Sequence, residues 1–394
     1  MRICFVVSTF PARSQTFVTA QVLHALRAGH DVTVACRQAD EDAGLSPDDV
    51  RRLEQVRRVD WPPRLESSTR YLPPRLHDAI RRRAERWTWR QIESDLVIAH
   101  FGYAGAAVAR ARQPGKPSPP LVTIFHGRDV SVEHHRNGLR KYRGLFAAGD
   151  LFLTVNEPFA ELLVAGGAPR ARVEVLHLGV PTERYAFTLP EPFGSRRLRF
   201  ASVARLVPKK GLHVAIAALA RLHRKAPELD WTYEIGGSGP CEEDLRRQAA
   251  AAGLSDRIRF LGPLSHQSTV ALIADADAFL APSITAEDGD QEGIPVTLME
   301  AMALGTPVCT TRHSGIPELV SHGRTGLLSD EGDADALCDN LNALSDGSAD
   351  VAALATAARR WIEREFDLSR QTEALFARCR AVMDRAHAGT DTPR

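Results

Sequence analysis

Long apolar runs are the first thing this chain lacks. No stretch of its 394 residues approaches the roughly 20 apolar positions that span a bilayer. The apolar start Ile3–Val7 is too short for a secretory signal and runs straight into Ser8, Thr9, Phe10 and Pro11. Cysteine is sparse and scattered: Cys4, Cys36, Cys241, Cys309, Cys338 and Cys379 form no C-x-x-C pair and have no histidine at zinc spacing. That excludes a disulfide framework and a structural metal, and fits a reducing compartment. The expectation is a cytoplasmic protein. Surplus charge is missing too, with a formal net charge of +1, so no global field draws the protein to nucleic acid or lipid. One local exception is Arg51–Arg90, where Arg81, Arg82, Arg83 and Arg86 cluster. It reads either as a solvated helix face or as a basic patch in weak peripheral contact with a membrane or an anionic acceptor. A complete G-x-G-x-x-G fingerprint is also absent. None follows the first strand, and Gly236-Gly237-Ser238-Gly239-Pro240 lacks the third glycine. Nicotinamide-dependent redox chemistry is therefore disfavoured, and Gly237 reads as part of a tight strand-to-helix turn near a ligand.

What is present is alternation. Short β-branched runs (Ile3–Ser8, Asp31–Cys36, Leu96–His100, Leu121–Phe125, Leu151–Val155, Val173–Leu176) are separated by amphipathic segments such as Gln15–Ala28. A second set follows at Leu198–Val203, Thr232–Gly236, Ile258–Leu261, Ala278–Ala281 and Pro307–Thr310, with helical stretches at Gly211–Lys225, Glu242–Ala252 and Thr297–Leu304. Uninterrupted apolar strands suit parallel sheets covered on both faces. The fold class is α/β, doubly wound. Pro181–Arg197, with Pro190, Pro192 and Gly194 and no periodicity, reads as the interdomain linker. The expected divisions are 1–188, 189–365 and a terminal segment 366–394, with a cleft between two similar halves.

Three segments can carry chemistry. In Glu292-Gly293-Ile294-Pro295-Val296-Thr297-Leu298-Met299-Glu300, Gly293 and Pro295 stand at the mouth of a helix. Free backbone N–H groups there suit a phosphate-like anion. Glu300 is placed to accept two hydrogen bonds from a ribose diol, and Glu292 to meet a sugar hydroxyl; two solvated carboxylates are the plainer alternative. Arg205 and Lys210, in Ala204–Gly211, follow a strand and precede a helix. They stand at the carboxyl end of a strand, where open α/β sheets bind ligands, and can clamp a diphosphate. His126, in Phe125-His126-Gly127-Arg128-Asp129, ends a buried strand, with Asp129 positioned to orient it. Asp288-Gly289-Asp290 has the look of a metal-binding D-x-D, but cations are already at hand for phosphate, so no metal and no cofactor are expected.

Taken together, Phe125–Ser131, Val203–Gly211, Pro282–Ala301 and Thr311–Leu319 resemble the retaining GT-B glycosyltransferases of family 4, most of all the colanic acid and exopolysaccharide group. The resemblance implies two Rossmann-like domains facing a central cleft, with the last helix crossing back to the first. It implies that Arg205 and Lys210 grip the donor diphosphate, that Glu300 holds the ribose and Glu292 the sugar, and that His126 stands beside the sugar's reacting face. Backbone from Gly293 to Leu298 (Ile294, Pro295, Val296 and Thr297 included) would hold sugar hydroxyls and phosphate. Leu261–Leu264, Leu264 among them, would present backbone to the base. Many family members carry a Gly-Gly turn after the first strand. Here Thr9–Phe17 has no glycine, so the helix starting near Ser14 supplies N–H groups or Arg13 supplies charge. The implied partners are a nucleotide-sugar donor, UDP first and GDP next, and a glycan, lipid-linked or small-molecule acceptor such as an antibiotic precursor. A sugar-nucleotide 2-epimerase on the same scaffold and a catalytically dead binder are the rival readings.

Overall fold

The computed structural model describes residues 1–12, 15–40, 46–61, 73–112, 118–191 and 197–388. The chain forms two units, Met1–Leu176 with Gln371 onward, and His177–Arg370. The divisions therefore fall at 176/177 and 370/371, against the expected 188/189 and 365/366.

Unit one is built on seven strands: β1 (Arg2–Val6), β2 (Asp31–Cys36), β3 (Arg57–Asp60), β4 (Leu96–His100), β5 (Leu121–Phe125), β6 (Leu151–Thr154) and β7 (Val173–Val175). They pair in parallel in the order β3-β2-β1-β4-β5-β6-β7. β4 and β5 are buried along their whole length, which is why they read as continuous apolar runs. β3 (Arg-Arg-Val-Asp) is an edge strand with mostly exposed residues; it lies in the arginine-rich stretch and gave no apolar signal. Farther along that stretch the helix Pro74–Trp89 exposes Arg82, Arg83 and Arg86. From the last helix, Leu368–Ala388, the side chains of Leu375, Phe376, Cys379 and Val382 are buried in unit one's core beside Val22, Val32 and Leu151.

Unit two repeats the topology. β8 (Leu198–Val203), β9 (Trp231–Gly236), β10 (Ile258–Gly262), β11 (Ala278–Ala281), β12 (Val308–Thr311) and β13 (Leu327–Ser329) run parallel in the order β10-β9-β8-β11-β12-β13. One face is covered by the helices Leu212–Lys225 and Ala334–Ser345, the other by Val296–Leu304 and Val351–Glu365. β13 is only three residues long, too short to stand out in the sequence.

The segment expected to be a linker is largely part of unit two. Arg359 donates to the carbonyls of Thr182 (3.2 Å), Tyr185 (2.8 Å) and Ala303 (2.6 Å), and Thr188 N donates to Leu304 O (3.0 Å). A distant arginine thus satisfies backbone groups that local composition left without partners. Pro192 and Gly194 lie outside the described residues.

Candidate active site

In each sheet the strand order reverses beside the first strand, between β1 and β4 and between β8 and β11. Loops leaving the carboxyl ends of these strands diverge to opposite faces, which opens a ligand crevice. In unit two the loops after β8, β9 and β11 are laced together. Ala204 N donates to Gly236 O at 3.0 Å, Leu206 N to Ser238 O at 2.9 Å, and Ile284 N to Lys209 O at 2.9 Å. Two glycines permit the approach. Gly211 has φ +61° and Gly237 φ +125°, and a Cβ would overlap the carbonyl oxygen of Pro282 or of Ala204 respectively.

This lacing brings Lys210 against Glu292, Nζ to Oε2 at 2.9 Å. Lys209 is the buried member of the pair, reaching Glu292 Oε1 at 3.2 Å, Asp290 Oδ1 at 3.0 Å and the Gln291 carbonyl at 3.1 Å. Two ammonium groups therefore face two carboxylates. Arg205 stands outside this balance: its side chain is exposed and has no carboxylate partner among the described residues.

The backbone of Glu292 is pinned from below. Its N–H donates to Nε2 of the fully buried His313 at 2.9 Å. The His313 proton therefore sits on Nδ1, which donates to Glu331 Oε1 at 2.6 Å, and Glu331 also accepts from Thr285 N at 2.6 Å. Just beyond, the helix Val296–Leu304 starts without a side-chain cap, and the amides of Ile294, Val296 and Thr297 find no acceptor among the described residues. Gly293 and Pro295 lead into it as expected. Glu300 is buried within the helix and accepts from Tyr185 Oη at 3.0 Å, with His266 Nδ1 3.8 Å from the same oxygen. Leu264 packs beside Gly236 after β10.

Lys209, Asp290, His313, Glu331 and Tyr185 were not singled out as site residues from the sequence. His313 lay in a quoted segment without a role, and Tyr185 lay in the supposed linker. Asp290 of the D-x-D is engaged by Lys209. Among the described residues no group of three or more His, Cys, Asp or Glu side chains is arranged to hold a metal ion.

In unit one, His126 follows β5 and its ring lies among Phe17, Phe101 and His100, with centroids at 4.6, 4.6 and 5.4 Å. Phe17 comes from the glycine-free loop and helix after β1; Arg13 and Ser14 lie outside the described residues. Asp129 does not orient the ring. Its carboxylate accepts from the backbone N–H groups of His126 (3.1 Å), Gly127 (2.9 Å) and Gly102 (2.8 Å). A short side chain three residues on reaches the amides of its own turn more easily than the ring. The polar partner of the ring is His100, Nδ1 to Nε2 at 3.2 Å.

Comparison with known proteins gives the family and the fold. Residues 14–184 match the family described as "Glycosyltransferase Family 4", and residues 190–361 match "Glycosyl transferases group 1". The chain is 35% identical to the amylovoran biosynthesis glycosyltransferase AmsK of Erwinia amylovora, over 93% of this chain and 96% of the relative. It is 36% identical to the putative colanic acid biosynthesis glycosyltransferase WcaL of Salmonella typhimurium, over 95% and 99%. The chain belongs to glycosyltransferase family 4. Its fold is GT-B: the structure of Anabaena Alr3699/HepE in complex with UDP superposes with a TM-score of 0.74 at 21% identity, over 97% of this chain and all of that one.

Two carboxylates of this family 4 glycosyltransferase are pushed in opposite directions. Burial alone would raise the pKa of Glu292, but Lys210 and Lys209 outweigh it and bring the group down to about 2. Among the described residues Glu300 has no ammonium beside it. Burial raises its pKa to about 7, against the opposing hydrogen bond from Tyr185. In the glycosyltransferase, then, Glu292 is a fixed anion, whereas Glu300 titrates near neutrality.

Proposed function

We propose that this glycosyltransferase moves a hexose-type sugar, with retention, from a nucleoside diphosphate donor to a hydroxyl of a glycan or lipid-linked acceptor in exopolysaccharide assembly. UDP is the first choice of nucleotide and GDP the next. The names of the relatives at 35% and 36% identity support the polysaccharide context, and a structural neighbour holds UDP. The observation that carries the reading is the Lys210–Glu292 pair at 2.9 Å beside a helix mouth with open amides, with Arg205 exposed on the same loop system and without a carboxylate partner among the described residues.

That arrangement suits a leaving diphosphate. As the C1–O bond of the donor breaks, negative charge grows on the phosphate oxygen, and Arg205, Lys210 and the amides of Ile294, Val296 and Thr297 stabilise it. Lys209 supports this by compensating Asp290 and part of Glu292, which leaves Lys210 charge to share with the phosphate. Glu300 accepts from the ribose hydroxyls and Glu292 from the sugar, and His126 is the candidate for the sugar's reacting face. Gly237 keeps the β9 turn against Ala204, and Leu264 flanks the base. The acceptor oxygen bonds to C1 on the face the diphosphate leaves, and its proton passes to the departing phosphate oxygen. With Asp290 engaged by Lys209, the cations replace a metal, so transfer proceeds in EDTA.

The protein works in the cytoplasm, in agreement with six free cysteines, five of them buried. Among the described residues no helix is long and apolar enough to cross a membrane. The helix Pro74–Trp89 makes peripheral contact with anionic lipid: Trp87 and Leu76 are 65% and 48% exposed beside the exposed Arg82, Arg83 and Arg86.

The test is incubation with UDP- and GDP-sugars, with and without polyprenyl-linked glycan, in EDTA, with nucleoside diphosphate release and product anomeric configuration read out. Acceptor-dependent release with retained configuration supports the reading. A changed sugar nucleotide formed without acceptor, or inversion at C1, overturns it.

A further inference from the structure

We propose that His313, held by Glu331, is a positioning residue for the donor sugar: it anchors the backbone of Glu292, so that this carboxylate keeps its place while the diphosphate competes for the lysines. This rests on the reading of Glu292 as the group that meets the sugar.

Glu292 lies in the irregular segment between β11 and the helix Val296–Leu304, where neither helix nor sheet fixes the backbone. Among the described residues its side chain is tied by two ammonium groups alone, Lys210 at 2.9 Å and Lys209 at 3.2 Å. A diphosphate bound at Arg205 and Lys210 draws on the same charge and so weakens the hold on the carboxylate. The second anchor is of another kind. The buried N–H of Glu292 donates to His313 Nε2 at 2.9 Å, a bond between uncharged groups for which an arriving anion does not compete.

Geometry selects the tautomer. A backbone amide can only donate, so Nε2 accepts and bears no proton. The ring proton is therefore on Nδ1, 2.6 Å from Glu331 Oε1, and the carboxylate holds it there. Glu331 is fixed in turn by Thr285 N at 2.6 Å, from the same irregular segment as Glu292. The ring is fully buried. The turn that aims it contains Ser314 at φ +46°, a left-handed conformation uncommon outside glycine, and closes with Ile316 N on His313 O at 2.9 Å. The loops after β11, β12 and β13 thus meet at one imidazole, which fixes where Glu292 leaves the backbone.

The experiment joins nitrogen NMR of the full-length enzyme, labelled with 15N-histidine, to kinetics with whichever of UDP-glucose, UDP-galactose and GDP-mannose the wild type turns over best. The wild type should show His313 protonated on Nδ1 with Nε2 bare. His313→Leu removes the acceptor, and kcat/KM for the donor should fall roughly ten- to a hundredfold, while affinity for UDP or GDP alone is kept. His313→Gln, whose amide oxygen can stand at the Nε2 position, should restore most of the loss; His313→Asn, which reaches only toward Glu331, should not. In a Glu292→Gln background His313→Leu should add little, because both changes act through one group. A wild-type His313 protonated on Nε2 overturns the proposal, as do equal rescue by Asn and Gln, an unchanged kcat/KM in His313→Leu, or a full additional loss in the double variant. The wild-type spectrum and the Gln-against-Asn comparison decide the matter even if His313→Leu does not fold. Near-normal transfer by Glu292→Gln alone would instead sink the sugar-binding role of Glu292, a failure distinct from any of these.

Discussion

Arg205 and Lys210 belong to one short loop but have different surroundings, the guanidinium exposed and without a carboxylate partner among the described residues, the ammonium held by Glu292. In the proposed clamp both act where charge develops, so Arg205→Ala and Lys210→Ala should each lower kcat by roughly 100- to 1,000-fold while the fold is kept. Near-normal turnover by both variants would refute the clamp. Glu300 adds pH dependence. A carboxylate can accept both ribose hydroxyls only when ionised, so with its pKa raised to about 7, nucleoside diphosphate affinity should fall by about tenfold per pH unit below that point. Calorimetric titration from pH 5.5 to 8.5 reads this, and Glu300→Gln should lose that component. Tyr185→Phe removes the one hydrogen bond that opposes the rise, so the transition should move to higher pH. The two carboxylates also affect stability with opposite signs. Glu300, raised on folding, favours the folded state fully below about pH 4.5 and loses that contribution as pH rises through about 7. Glu292, lowered on folding, contributes above about pH 4.5 and loses its share as pH falls through about 2.

Among the elements, the turn between β8 and the helix Leu212–Lys225 decides the geometry of the charge cluster. Gly211 adopts φ +61° against the Pro282 carbonyl. Gly211→Ala should cost about 1–2 kcal/mol from the left-handed backbone alone, with more from the overlap, and should loosen Lys210 from Glu292. The measurements are the thermal midpoint and the donor KM, both of which should worsen; an unchanged KM would mean that the loop does not position the lysine. The sequence carried the elements of this site well: strand, glycine turn and helix mouth all stand where periodicity and punctuation placed them. It did not carry β3 or β13. One is a polar edge strand and the other spans three residues, so neither has an apolar run to display.

Across the whole molecule, the chain returns to unit one at its last helix, where Phe376 is 2% exposed and stacks on His24 at 5.0 Å. Phe376→Ala should cost about 3–5 kcal/mol locally. Hydrogen exchange should quicken in the strands of unit one and stay unchanged in unit two; equal quickening in both would deny the helix its place in unit one's core. Sequence by itself determined the doubly wound class, through local periodicity, and the family, through short motifs that resemble it, and it marked the segments around His126, Arg205, Lys210, Glu292 and Glu300 as candidates, because such signals are carried by neighbouring residues. Tertiary structure alone decided their partners. Lys209 neutralises Asp290 and Glu292, His313 and Glu331 pin the Glu292 backbone, Tyr185 meets Glu300, and His100 rather than Asp129 meets the His126 ring. Each partner lies on another strand or loop, often far away in the chain. Burial and hydrogen-bond satisfaction act between groups that only parallel pairing and loop lacing bring within reach.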